Sequence, residues 1–401
     1  MRRLFLFLFF ALAMALGVVL NHSSRFRDVY RSVCDLAENH FYKSDQRLEA
    51  WVKRCRYNAA RVPLWQNERR LLGMIQDQLN ELNVSHFQIY DPAEDQRLWT
   101  GESIDTGIRS RYVEDTLIIY RVYPGSAADD VDVRVGDEVL AIEGTDQVTP
   151  WGAMSRSGLF RLRRQGQTFD VNLQSRTIAP DLSPQVKILD ARTAVLEIPS
   201  FRSNFFARED WRKVTARFLR SPHLIVDIRE NSGGNFVAML RVLSTFTCGD
   251  ASVGQILQPR KRLPQKRGLD DDTSDAHQIS ELEKFRSVGL RTFPGYGCYT
   301  GRVTVLVGPE TASVSEIFAH SFLSRAGARV WGQPTAGDVV LAVWYDLPAL
   351  GKGYSVSIPE AVYLTPQKLE LEAHGVSPQK ELQYDLKQSL QGKDSWIEDA
   401  R

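Results

Sequence analysis

The sequence predicts a multidomain α/β protein: an N-terminal helical segment, a β-rich module with short helices, and a larger core in which strands and helices alternate. Three observations carry this reading. Apolar residues repeat at helical spacing from residue 25 to about residue 80. From about Ile104 to Ile178 the texture changes to short runs separated by glycine and proline turns. After Pro180, apolar runs and amphipathic stretches alternate to the end of the chain. A chain of 401 residues has room for two or three such cores. Lys and Arg total 50 against 49 Asp and Glu, so the basic face that a nucleic-acid partner requires is not indicated.

Residues 1–21 form the first element. Met1-Arg2-Arg3 precedes the apolar run Leu4 to Leu20, and polar residues follow at once. This is the layout of a secretory signal or a short N-terminal anchor, and the small residues Ala11, Ala13, Ala15 and Gly17 favour cleavage. Membrane contact is expected only through residues 1–20, if they are retained. The expected location is periplasmic or extracellular. Export gives the cysteines a meaning, because disulfides persist in oxidising compartments. Four cysteines allow three connectivities, and nearest-neighbour pairing, Cys34 with Cys55 and Cys248 with Cys298, is the expectation against four buried thiols. No cysteine or histidine spacing suggests a metal, and no cofactor is expected.

Residues 22–103 are the helical segment, with stripes at Val29, Val33, Leu36 and Phe41, at Leu48, Val52 and Tyr57, and at Leu71, Ile75, Leu79 and Leu82. It ends in LNELNVSHFQIY, which contains Ser85-His86. Residues 104–178 follow. TLIIYRVYPGSAADDVDVRVGDEVLAIEG reads as strand, turn, short helix, turn, strand, with turns at Pro124-Gly125 and Gly136-Asp137. FRLRRQGQTFDVNLQS reads as a helix end, a turn at Gln165-Gly166 and a closing strand. The pattern resembles a PDZ domain, which adds a peptide C-terminus to a sheet edge and holds its carboxylate on backbone amides. Gly107, Ile108 and Arg109 lie where that resemblance puts the carboxylate loop, with Arg109 standing where a second glycine is usual.

Residues 179–401 make up the core. TAVLEIPSF, HLIVDIR, VTVLVG and ARVWGQ read as strands, with helices from Asp210 to Leu219, Phe236 to Phe246 and Val314 to Arg325. Gln258 to Thr292, with PRKRLPQKR and LDDD, reads as a solvated loop with a short helix around Ile279 to Phe285. Two motifs carry chemistry. LIVDIRENSGGNF ends a strand in glycines whose N–H groups suit either an oxyanion or a phosphate. GPETASVSEIFAH sets Ser313 at a strand-to-helix turn, where it reads equally as a nucleophile or as a helix N-cap with Glu316 as its capping-box partner; Thr311 and Ser315 are rival hydroxyls.

In this order behind a PDZ-like module, the two motifs resemble the C-terminal-processing (tail-specific) serine peptidases and the related tricorn core. The resemblance spans residues 27 to 399 and includes the PTAGD turn at Pro334 to Asp338, the HGVSP segment and the closing GKDSWIEDA. It implies a crotonase/ClpP-like α/β catalytic core. It selects Ser313 as nucleophile, with oxyanion donors at Gly233, Gly234 and Val314. The lysine-dependent branch carries its general base where this chain has Asp338, and a carboxylate cannot replace a neutral amine there. The tricorn-like branch uses a Ser-His pair and a glutamate before Gly-Val-x-Pro, matched by Ser85, His86 and Glu372. Glu370 and His374 are nearby competitors.

The expected function is an exported serine endopeptidase cleaving unfolded or C-terminally exposed polypeptides through a Ser313 acyl-enzyme, with His86 as general base. The resemblance also leaves room for a homo-oligomer. A catalytically silent PDZ-containing peptide-binding protein is the alternative, and acyl transfer on a small ester is a more distant one.

Overall fold

The computed structural model describes residues 24–63 and 66–401; the leader read at residues 1–21 lies outside the described residues. Among the described residues no helix is long and apolar enough to cross a membrane. The three helices at the start comprise residues 24–40, Gln46–Ala60 and Glu68–Asn80. Asp45 and Asn67 cap the second and third by accepting from Leu48 and Arg70 N–H. The disulfide Cys34–Cys55 ties the first two together, and the second disulfide joins Cys248 to Cys298, as the nearest-neighbour reading expects.

These helices do not close a core of their own. Trp51, Leu71, Ile75 and Leu79 share one apolar cluster with Val340, Val356, Ile358 and Val362 from late in the chain. The strand Gln88–Tyr90 completes the join by pairing antiparallel with Ser355–Leu364, in the register Gln88↔Ser357 and Tyr90↔Ser355. The residues just before that strand are therefore carried to the C-terminal half.

Residues 108–173 form a five-stranded antiparallel sheet in which strand Ile108–Val113 is terminal, pairing on one edge with Thr116–Val122. FRLRR is a strand, Gly158–Arg164, rather than a helix end. It forms a hairpin with Gln167–Leu173 because alternate residues Phe160 and Leu162 enter the core while the arginines between them stay outside.

The largest unit is a six-stranded sheet. Thr193–Glu197, His223–Asp227, Arg302–Val307, Ala328–Gly332 and Lys380–Glu381 run parallel in space, with Gln185–Ile188 antiparallel at one edge. Helices Arg208–Ala216, Phe236–Thr247 and Val314–Leu323 share a single buried cluster with this sheet. Trp396 and Ala400 from the C-terminal helix pack with Val195, Ile225 and Leu306 in a separate cluster. Asp227 and Leu306 are register partners in adjacent parallel strands, so the turns that leave both strand ends emerge side by side. In open α/β sheets this carboxyl end is where sites form.

The charged excursion differs from the solvated loop expected of it. Ser252–Leu257, Gln265–Lys266 and Ser287–Arg291 are strands of a second sheet that includes Ser355–Leu364. Asp271 is bound by Arg241, Arg208 and Tyr296. Its acidic run is thus anchored by a buried arginine of helix Phe236–Thr247, a partner too distant in sequence for local composition to reveal.

Candidate active site

Strand Arg302–Val307 ends in the turn that leads to Ser313 and helix Val314–Leu323. Ser313 has φ 58° and ψ −126°, a conformation costly to a residue with a Cβ and typical of strained functional turns. Ser313 and Glu316 stand in a capping-box arrangement: Glu316 accepts from Ser313 N–H at 3.0 Å, and Glu316 N–H goes to the Ser313 carbonyl at 2.9 Å. The Ser313 hydroxyl makes no hydrogen bond among the described residues and stays partly accessible. The rival hydroxyls are sequestered. Thr311 is fully buried and donates to Ile228 O, and the Ser315 hydroxyl is buried with no partner.

The adjacent turn closes on Ser313. A Cβ added at Gly233 would lie 2.8 Å from the Ser313 Cβ, so only glycine permits this approach. Gly233 N–H donates to Asn231 Oδ1 at 2.9 Å, and buried Asn231 is itself tied to Ile198 O. Gly234 bridges Phe201 so that its own N–H points away from that segment. Val314 N–H, the first of the helix, has no intramolecular acceptor among the described residues. Gly234 and Val314 therefore offer the free donors of the three amides named from sequence, and Gly233 N–H is engaged.

The second half of the site comes from the N-terminal segment. Glu372 accepts four hydrogen bonds: Ser85 N–H at 2.9 Å, Ser85 Oγ at 3.0 Å, and the N–H groups of Val339 and Val340 at 2.8 and 3.1 Å. Ser85 Oγ also lies 3.0 Å from His86 Nδ1. A carboxylate has no proton to give, so the single Ser85 hydrogen goes to Glu372 and Ser85 must accept from Nδ1–H. The network thus assigns the neutral imidazole its proton on Nδ1 and leaves the lone pair on Nε2. Burial pushes the His86 imidazolium below the ordinary histidine range, while the charges of Asp338 and then Glu372 pull it back up. Glu370 and His374 are exposed at the surface.

Glu316 is the capping partner its spacing from Ser313 predicts, and it does more than cap. It is fully buried and accepts from Ser313 N–H, Thr335 Oγ1 at 2.5 Å, Gly337 N–H at 2.8 Å and Asp338 N–H at 2.9 Å. Burial pushes this carboxyl up and the four donors oppose the shift. Four consecutive amides, Gly337 to Val340, are thereby shared between two carboxylates: Glu316, tied to the Ser313 turn, and Glu372, tied to the Ser85-His86 pair. A glutamate flanked by the apolar Val314, Ile317 and Phe318 was the sequence signal for this role.

A cleft of about 510 Å³ runs between strand Ile108–Val113 and these turns, with Arg111 and Tyr120 on one wall and Glu230 and Glu310 on the other. Glu230 meets Arg121 at 3.4 Å and Arg111 at 3.9 Å. Glu310 lies three residues before Ser313, and burial beside Glu230 pushes its carboxyl up. At the end of the same strand, Gly107 N–H donates to Asp105 Oδ1 at 2.7 Å and Ile108 N–H to Thr106 Oγ1 at 3.3 Å. Arg109 pairs with Asp105 Oδ2 at 3.0 Å and lies over the Tyr123 ring.

The possible metal ligands Asp270, His277 and Glu281 cluster in the excursion, but Lys266 already forms ion pairs with both carboxylates.

Residues 192–382 match the sequence profile of peptidase family S41. Carboxyl-terminal-processing peptidase 1 of Arabidopsis thaliana, a chloroplastic protein, is 24% identical over 328 residues, covering 76% of this chain and 61% of that protein. The carboxyl-terminal-processing protease of Picosynechococcus sp. is 22% identical over 282 residues, covering 66% and 60%. The chain spans about six-tenths of the length of these two curated relatives. Among solved structures, the photosystem II D1 C-terminal processing protease superposes with a TM-score of 0.54 at 17% identity, over 89% of this chain and 93% of that one. Mature CPAF gives 0.60 at 13% identity over 94% and 96%. The tricorn protease gives 0.51 at 16% identity over 94% of this chain and 37% of its own. At such identities the likeness is one of fold.

Proposed function

We propose, for a chain whose residues 192–382 belong to peptidase family S41, that it is a serine endopeptidase of the C-terminal-processing kind, acting on unfolded polypeptide. The observation that carries this is the hydrogen-bonded series Glu372–Ser85–His86, which leaves an imidazole lone pair free, in a fold that also presents Ser313 on a strained, accessible turn. In this reading Ser313 Oγ attacks the scissile carbonyl carbon and its proton passes to His86 Nε2. Ser85 and Glu372 hold the resulting imidazolium through Nδ1–H. The tetrahedral oxyanion takes hydrogen bonds from Gly234 and Val314 N–H, with Gly233 shaping the turn beneath it. Collapse releases the amine, which takes the proton from Nε2, and leaves an acyl-Ser313 ester. Water then adds to this ester, with the same imidazole as base. We read residues 104–178 as a PDZ domain and residues 179–401 as a crotonase-like core. The two disulfides and the apolar leader support an exported protein.

The test is cleavage of a labelled unstructured polypeptide by the chain without its leader, beside His86→Ala, together with labelling by a serine-directed phosphonate. Cleavage and labelling that His86→Ala loses are expected. Labelling absent from a folded wild type would favour the silent binding protein.

The pH dependence has a defined sign. The base must be neutral, so the rate climbs with pH through the His86 pKa, which burial sets below the ordinary histidine range. Asp338 is the larger of the two charges raising that pKa. Asp338→Asn is therefore expected to move the acid limb of the kcat/KM profile to lower pH. A limb that stays in place would remove Asp338 from the electrostatics of the base.

A further inference from the structure

We propose that the module at residues 104–178 takes extended polypeptide along its edge strand without reading a C-terminal carboxylate, because an internal carboxylate, Asp105, already occupies the loop that would bind it. The proposal rests on the peptidase reading for its substrate class. Its basis is the loop itself. A loop that captures a peptide carboxylate needs backbone N–H groups free to donate. Here Gly107 N–H is given to Asp105 Oδ1 at 2.7 Å and Ile108 N–H to the Thr106 hydroxyl. Thr106 N–H and hydroxyl are spent in turn on the carbonyls of Met154 and Ala153, which draws the helix Pro150–Ser155 onto the loop.

Asp105 is fully buried, and its other oxygen takes hydrogen bonds from Ser103 and from the Arg109 guanidinium. A buried, paired carboxylate of this kind is costly to displace. An incoming carboxylate would meet a filled loop and a negative charge, with the Arg109 guanidinium already paired to Asp105. Gly107 is also closed sterically, since a Cβ there would lie 2.0 Å from Ser126 Cβ.

The strand that follows is open. Ile108–Val113 is the end strand of its sheet, and consecutive residues from Ser110 to Glu114 line the cleft. Successive strand side chains point to opposite faces, so a cleft touched by consecutive residues reaches the backbone edge, and Tyr120 of the neighbouring strand extends its lining onto one face. Ser110, 8% exposed, holds a hydroxyl there with no partner. The opposite wall carries Glu310, on the turn that leads to Ser313. An internal segment of an unfolded chain can therefore pair along this edge and continue toward the serine, with its own C-terminus elsewhere.

The experiment compares one labelled unstructured peptide as free acid and as C-terminal amide, with the full chain lacking its leader. Cleavage rates within about twofold of each other are expected; a free acid cleaved ten times faster than its amide overturns the proposal. Asp105→Ala is expected to create a preference of several-fold for the free acid, and indifference in a folded Asp105→Ala would show that Asp105 is not what fills the loop. If neither peptide is cleaved, the peptidase reading fails, and polarisation binding of the same pair decides separately. Binding of the free acid at least tenfold tighter than the amide, or no detectable binding of either, then overturns the inference, whereas equal binding of both upholds it.

Discussion

Ser313→Ala is expected to end cleavage and phosphonate labelling, with a loss on the order of 10⁴-fold or more, as when a nucleophile is removed from a working triad. The unfolding midpoint should not fall, because the hydroxyl makes no hydrogen bond among the described residues whose loss would weaken the fold. The companion variant separates strain from chemistry. At φ 58° and ψ −126° a side chain costs on the order of 1–3 kcal/mol, which glycine avoids at about 1 kcal/mol of extra chain entropy. Ser313→Gly should be as inactive as Ser313→Ala yet unfold at a higher temperature. Calorimetry on the two, with residual cleavage measured in parallel, checks both halves. A Ser313→Ala protein that keeps cleaving would move the nucleophile elsewhere.

Glu316→Ala is expected to have the second-largest effect, and on stability and rate together. It strands the amides of Ser313, Gly337 and Asp338 and the Thr335 hydroxyl around a fully buried position. Each orphaned group costs about 1–3 kcal/mol, less where water enters, so a total of roughly 3–5 kcal/mol is the expectation. Glu316→Gln keeps the shape but turns an amide toward donors, and should cost about half as much. In Glu316→Gln the expected signature is kcat falling on the order of 10²-fold with KM little changed. That split follows if Glu316 sets the spacing between the Ser313 turn and the strap at residues 337–340. An unchanged kcat in a folded Glu316→Gln would reduce the residue to a purely structural one.

The contrast between these residues and those read from sequence has a physical origin. Strands at 223–227 and 302–307 were legible because a buried parallel strand must be continuously apolar, and the turns after them because glycine and serine mark them. Ser85, His86 and Glu372 emerged only through resemblance. What joins them is the pairing of Gln88–Tyr90 with Ser355–Ser357, and no local pattern encodes a pairing across that distance. Glu316 was legible as a capping partner from its i to i+3 spacing to Ser313, but its wider role was not, because the Thr335-Asp338 strap that completes its shell arrives from another turn. In the PDZ-like loop the sequence drew attention to Arg109 as the unusual residue. The consequential one is Asp105, which passes for an ordinary turn acid until its burial is known. The charged excursion misled for a similar reason: main-chain pairing built its sheet, and composition does not report main-chain partners.

The Ser85–Glu372 hydrogen bond spans 287 residues. A ribosome makes Glu372 after both His86 and Ser313, so a nascent chain carries those two residues before it has the carboxylate that fixes the imidazole tautomer. Loop closure over such a separation is among the last and slowest events in folding. Under the peptidase reading the chain is harmless to itself and its neighbours while it is being made and threaded outward. Under that reading its own folding is what arms it.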